Sequence, residues 1–162
     1  MAEQRSDVIS WDEFFMRVAF AAKLRSKDPN TQVGACIADT DHRILSVGYN
    51  GTPHAITDEA FPWGDSDDPL NDKHSYVIHA EANAIISASR RDMMDSTLYL
   101  VGKEVSTGEY VKDANSCAMC KRMIINAGIA RVVIRDDQEH WREIAVSDWV
   151  ENDDSMTDVL GY

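Results

Sequence analysis

The feature that most constrains this chain is a split set of donors: His79-Ala-Glu81 and then Cys117-Ala-Met-Cys120, with Cys117 lying 38 positions after His79. One imidazole, from His79, and two thiolates, from Cys117 and Cys120, make up a zinc-ligand set. Three protein ligands on a tetrahedral ion leave the fourth position to water, as in catalytic rather than structural sites. Glu81 follows the histidine by two residues, so it can approach that water without ligating the ion. An acid/base group beside activated water is a recurring device for hydrolysing an amidine-like carbon. H-x-E alone reads better as a capping histidine with a solvated glutamate, and C-x-x-C alone can be a redox pair. Together they favour the metal, and they require a fold that brings two distant segments to one point.

A chain of 162 residues suits one compact domain with a proper core. The organisation expected is a single domain over residues 1–162, with its core at about 10–136 and an acidic C-terminal extension over 137–162. Sixteen basic against 28 acidic residues give a net charge of −12, which argues against a nucleic-acid partner. That balance still allows a local basic pocket for one phosphate. No stretch approaches the roughly 20 apolar residues of a membrane span, so no membrane partner is expected. The polar start, M-A-E-Q-R-S, lacks the apolar core of a signal peptide. Three cysteines, two of them in C-x-x-C, fit a reduced setting better than a disulfide framework. Cytoplasmic localisation is the expectation.

Ser10-Trp-Asp-Glu13 reads as a capping box, with Glu13 reaching back to the Ser10 amide. Phe15, Val18, Ala19 and Ala22 then recur at helical spacing, predicting a helix over residues 10 to about 25. Ser26-Lys-Asp-Pro29 follows as a loop, either a plain connection or a phosphate or ribose contact. The apolar runs at 33–38 and 43–49, separated by Asp39-Thr-Asp-His42, read as a β-hairpin. Cys36, mid-strand, reads as a core thiol. Asn50-Gly51 is a turn signal. Residues 54–75 show little periodicity, as a functional loop would, and carry His54 and His74, for which a metal role is the lesser reading. Helix formers after His79 predict a helix whose first turn holds Glu81 near the positive dipole end.

Residues 97–101 read as a third strand, and Thr107-Gly108 as the turn of a small hairpin within 102–115. Residues 117–126 read as a helix with Met123, Ile124 and Ala127 facing inward, both thiols on one side, and Gly128 in the left-handed stop position. Residues 131–135 form a fourth strand, and 143–150 a fifth strand with a short helix. This order predicts an α/β fold: a three-layer α/β/α sandwich with a mixed, roughly five-stranded sheet, its first hairpin antiparallel and its later strands parallel.

Several blocks follow the pattern of the deoxycytidylate (dCMP) deaminase family of the cytidine deaminase-like superfamily. They are Ser26-Lys-Asp-Pro29, Val33-Gly-Ala-Cys-Ile37, Val47-Gly-Tyr-Asn-Gly51, Tyr76-Val-Ile-His-Ala-Glu-Ala-Asn-Ala-Ile85, and Cys117-Ala-Met-Cys-Lys-Arg122 with Ile125-Asn-Ala-Gly-Ile129. The chain resembles that family over roughly residues 10–134. The resemblance implies hydrolysis of dCMP to dUMP with release of ammonia, with Zn2+ on His79, Cys117 and Cys120 and Glu81 as proton shuttle. It implies that Asn50 holds the sugar or base, that Tyr76 packs near the base, and that Ser26, Lys27 and Asp28 lie by the phosphate. Gly51, Ala80 and Ser116 complete the substrate contacts it implies. Family members are commonly homo-oligomers, often hexamers, and several are activated by dCTP and inhibited by dTTP with Mg2+, so the resemblance also implies nucleotide effectors.

Two departures stand out. The family's proline before the first cysteine is Ser116 here, which predicts a slightly looser loop around an intact zinc site. The segment 102–115 is longer than in compact members. The alternatives left open are a deaminase of dCTP, cytidine or cytosine, and a catalytically inactive zinc module that only binds nucleotides. The retained Glu81 argues against the inactive module, and the charge of −12 against a tRNA adenosine substrate.

Overall fold

The structure is a computed structural model that describes residues 1–57, 59–60, 63–64, 77–111 and 114–152. Helix α1 (Trp11–Lys23) precedes strands β1 (Thr31–Ala38) and β2 (Ile44–Tyr49). Helix α2 (Ala80–Ile86) and the short α3 (Arg90–Met93) lead into β3 (Thr97–Glu104). Helix α4 (Ala118–Ala127), β4 (Arg131–Arg135), β5 (Trp141–Ala145) and α5 (Val146–Asn152) complete the described chain. The five strands form one sheet in the order β2-β1-β3-β4-β5.

The central strands are apolar on both faces because helices cover both faces. Side chains alternate along each strand. Cys36, Ala38, Tyr99, Val101 and Val133 face α1, where they pack with Phe15, Met16 and Ala19. Ala35, Ile37, Leu98, Leu100, Val132 and Ile134 face the other way, onto Ala80 and Ala84 of α2, Ile124 and Ala127 of α4, and Trp149 of α5. The three expected layers are present. Met123, expected to face inward, is only half-buried, because Ile124 and Ala127 already carry the α4 contact.

Sheet polarity differs from expectation in one place. β3 and β4 are parallel, with α4 as their crossover, but β5 runs antiparallel to β4. Only the short 136–140 connection separates them, and a parallel return needs a crossover of a dozen or more residues. β1 is antiparallel to both β2 and β3. Within residues 102–111 the chain does fold back on itself: Lys103 bridges Tyr110, and Glu104 and Val111 bond across to Glu109 and Gly102.

Ser10 caps α1, its Oγ accepting from the Glu13 amide at 3.1 Å. The reciprocal half of the capping box is replaced, because the Glu13 carboxylate is taken by Arg17 and, bidentately, by Arg135 of β4. Asp12 accepts from Arg131 at 2.6 Å and from the Tyr99 hydroxyl at 2.7 Å. Two first-turn carboxylates thus clamp α1 to the sheet. The helix ends at Lys23, short of residue 25, in a tight turn where Leu24 and Arg25 bond three residues back.

Candidate active site

Two helix starts build the site. His79 is the N-cap of α2 and Cys117 the N-cap of α4, both on the same side of the sheet. α2 can lie close to the sheet because its inner residues are alanines and β2 presents Gly48 to it. The buried Ser46 hydroxyl donates to the Ala84 carbonyl at 2.6 Å and pins that contact. Just ahead of α2, Ile78 pairs with Gly51 through two backbone hydrogen bonds, which sets where His79 enters. At the other end of α4, Gly128 closes the helix at φ +81°.

This geometry brings three donors together. His79 Nδ1 lies 3.5 Å from Cys117 Sγ and 3.4 Å from Cys120 Sγ. Zinc bonds of ordinary length at tetrahedral angles put such donors about 3.6 Å apart, so the spacing fits a zinc ion. Among the described residues, this is the cluster of three or more His, Cys, Asp or Glu side chains whose donor atoms converge, all within 4.8 Å. His54 takes no part in it, and His74 lies outside the described residues.

Electrostatics point the same way. Cys117 is lowered to about 3, first by the hydrogen bond from Cys120 and then by His79. Cys120 is pushed up, first by that same shared bond and then by burial. One thiol therefore ionises readily and the other keeps its proton until a cation takes its place. His79 is raised, chiefly by its bond to Cys117. One thiolate beside a thiol and an imidazole, at two helix starts, is a soft-to-borderline donor set that a divalent ion completes by displacing the remaining protons.

Glu81, in the first turn of α2, is buried to 5% exposure and reaches the cavity beside these donors. Burial raises its pKa, opposed by its own backbone amide and by the Ser116 hydroxyl, which donates to Oε1 at 2.9 Å. The cavity holds about 330 Å³, within the range of small-ligand sites of about 300–1,000 Å³. Asp28, Asn50, His79, Ala80, Glu81 and Cys117 are among the residues that line it. Cys120 sits behind the wall, fully buried.

Other expected contacts fall elsewhere. Lys27 and Gly51 line a second cavity of about 570 Å³, with Arg25 and His54. Ser26 is buried and donates to the Asn50 carbonyl at 2.9 Å. The Asp28 carboxylate accepts from the Asn30 and Thr31 amides and so starts β1. The Asn50 amide is engaged by protein on both atoms: Oδ1 accepts from Val33, and Nδ2 donates to Thr31 and, more weakly, Asp28. Asn50 thus braces the cavity wall from both neighbouring segments. Tyr76 lies outside the described residues. Leu100, Val77 and Asn115 line the cavity without having been anticipated. Asn115 directly precedes Ser116 and was within reach of the motif; the two apolar residues carried no signal beyond strand composition. The Ser116 amide donates to Asn115 Oδ1 at 2.9 Å.

Comparison with known proteins agrees with this geometry. Residues 9–135 match the cytidine and deoxycytidylate deaminase zinc-binding region. Human and mouse deoxycytidylate deaminases are each 37% identical over 139 residues, 85% of this chain and 71% of theirs. A crystal structure of dCMP deaminase from cyanophage S-TIM5 shares the fold, with TM-score 0.52 and 24% identity over 79% of this chain and 84% of that one.

Proposed function

Because the chain belongs to the cytidine and deoxycytidylate deaminase family, we propose that it hydrolyses dCMP to dUMP and ammonia at a zinc site held by His79, Cys117 and Cys120. The observation that carries this reading is the placement of Glu81: a buried carboxylate on a ligand-sized cavity, beside three convergent metal donors. Zinc bound there supplies the Lewis acidity that makes water a nucleophile near neutral pH. Glu81 takes the proton that water loses as its oxygen bonds to C4 of the pyrimidine. The carboxyl passes that proton to N3, takes a second one from the new C4 hydroxyl as the C4=O forms, and hands it to the exocyclic amino group. The C4–N4 bond breaks with its electron pair on nitrogen, which departs as ammonia. Burial suits Glu81 to this two-way role, because a carboxyl with a raised pKa gives its proton up less readily than an exposed one and can both hold and return it. His79 and Cys117, at helix starts, fix the donors around it.

Asp28, Asn50 and Ala80 form the wall that shapes the nucleotide's seat, and Lys27, in a cavity with Arg25 and His54, supports a phosphate-facing role for its loop. The same reading takes the chain as a cytoplasmic homo-oligomer with dCTP and dTTP, the latter with Mg2+, as effectors. Among the described residues, no helix is long and apolar enough to cross a membrane. The test is ammonia release from dCMP, dCTP, cytidine and cytosine in parallel, with and without dCTP or dTTP as effector. Turnover of dCMP in preference to the others supports the reading. Turnover of another member alone moves the substrate, and none in zinc-loaded protein overturns it.

A further inference from the structure

We propose that Ser116 is a positioning residue for Glu81: its hydroxyl holds the carboxylate in the orientation from which it exchanges protons with the substrate. The inference rests on the deaminase reading above and deepens it. Ser116 and Glu81 are both 5% exposed, and they belong to different halves of the site. Ser116 immediately precedes the α4 N-cap, and Glu81 lies in the first turn of α2. Their 2.9 Å bond therefore ties the acid/base group to the segment that carries the two thiols. The carboxylate's own backbone amide also restrains it, but only relative to α2. Ser116 sets its position relative to α4.

The residue type matters at this point. A proline, which the family pattern places here, has neither the N–H that Asn115 accepts nor a hydroxyl for Glu81. A serine hydroxyl donates to a carboxylate and can rotate to accept from a carboxylic acid. The contact itself is the buried 2.9 Å bond between the two segments. A hydrogen bond to an ionised carboxylate is also among the stronger kinds, and stronger still in a buried setting.

The experiment compares Ser116→Ala and Ser116→Thr with the parent in full-length, zinc-loaded protein. Four quantities are read: kcat and KM for dCMP, zinc per chain, and the infrared carboxylate difference spectrum without substrate, with Glu81→Gln identifying the Glu81 band. The expected result for Ser116→Ala is a kcat about tenfold lower, with KM and zinc content within about twofold of the parent. Its Glu81 band shifts, while Ser116→Thr recovers most of the kcat and the band. An unchanged kcat and band in Ser116→Ala overturns the proposal, as does a loss of kcat that tracks loss of zinc. A parent that turns over none of dCMP, dCTP, cytidine and cytosine overturns the deaminase reading instead. In that case the band alone still decides whether Ser116 holds the carboxylate.

Discussion

Gly48 of β2 lies so close to α2 that a Cβ built on it would stand 2.5 Å from the Ala84 amide nitrogen and would also strike the Ala80 carbonyl oxygen. The helix that carries Glu81 is therefore seated directly on a residue without a side chain. Gly48→Ala should push α2 away from the sheet, costing about 2 kcal/mol as overpacking. Because His79 caps that helix, zinc retention should fall with stability. Urea midpoints and zinc content measured on the same samples check this. A variant with parental midpoint and metal content would mean that α2 is free to shift without consequence.

Glu81→Gln keeps the side-chain size and the cavity but removes the proton shuttle. It should lower kcat for dCMP by about 10³-fold, a typical magnitude for losing a general acid/base. Zinc content should stay at the parental level, since Glu81 is not one of the three donors. Retained turnover would remove the proposed role.

The three cysteines should react in a fixed order with a thiol reagent. Cys117 is exposed and favours thiolate, so after chelation it should react first, followed by the buried Cys120. Cys36, fully buried with its thiol pushed up to about 12 by burial, should wait for denaturant. With zinc bound, both site thiols should be slow. Fast labelling of Cys36 in native protein would contradict the packing beneath α1.

Glu13 contributes a pH-dependent share of stability. The hydrogen bond from Arg135 holds its carboxyl below the ordinary value of 4.5, despite the opposing effect of burial. A folded-state value below the unfolded one stabilises fully above about pH 4.5 and is lost as the pH falls through the folded value. Glu13→Gln should therefore cost about 2 kcal/mol at pH 7, since it leaves a largely buried arginine short of its partner. The melting curves of parent and variant should converge as the pH drops toward 3. A gap of constant size from pH 7 to pH 3 would place the effect elsewhere.

The parts of the fold that could be read in advance are those governed by local periodicity. Short continuous apolar runs at β1, β3 and β4 announced strands covered on both faces, and Ser10 and Gly128 marked helix ends because capping chemistry is local. The convergence of His79, Cys117 and Cys120 was legible because H-x-E and C-x-x-C constrain each other. The direction of β5 was not, since it turns on the short connection from β4 rather than on any pattern within the strand. Glu13 carries the capping-box signature, yet Arg135, 122 residues away, competes for its carboxylate. Asn50 and Ser116 show the same limit. Each was marked as a site residue by its motif, but their partners Val33, Thr31 and Glu81 are set by how distant segments meet.

Placing the donors at two helix starts has a thermodynamic consequence. In a flexible chain, 38 residues separate His79 from Cys117 by about 35 Å on average. The fold brings their donor atoms to 3.5 Å, giving each an effective concentration around the other that the open chain lacks. An ion gripped by all three donors therefore binds the native chain far better than the denatured one, and by mass action it suppresses opening. Metal supply should then set how long the chain survives, because a chain without a bound ion opens more often to proteases.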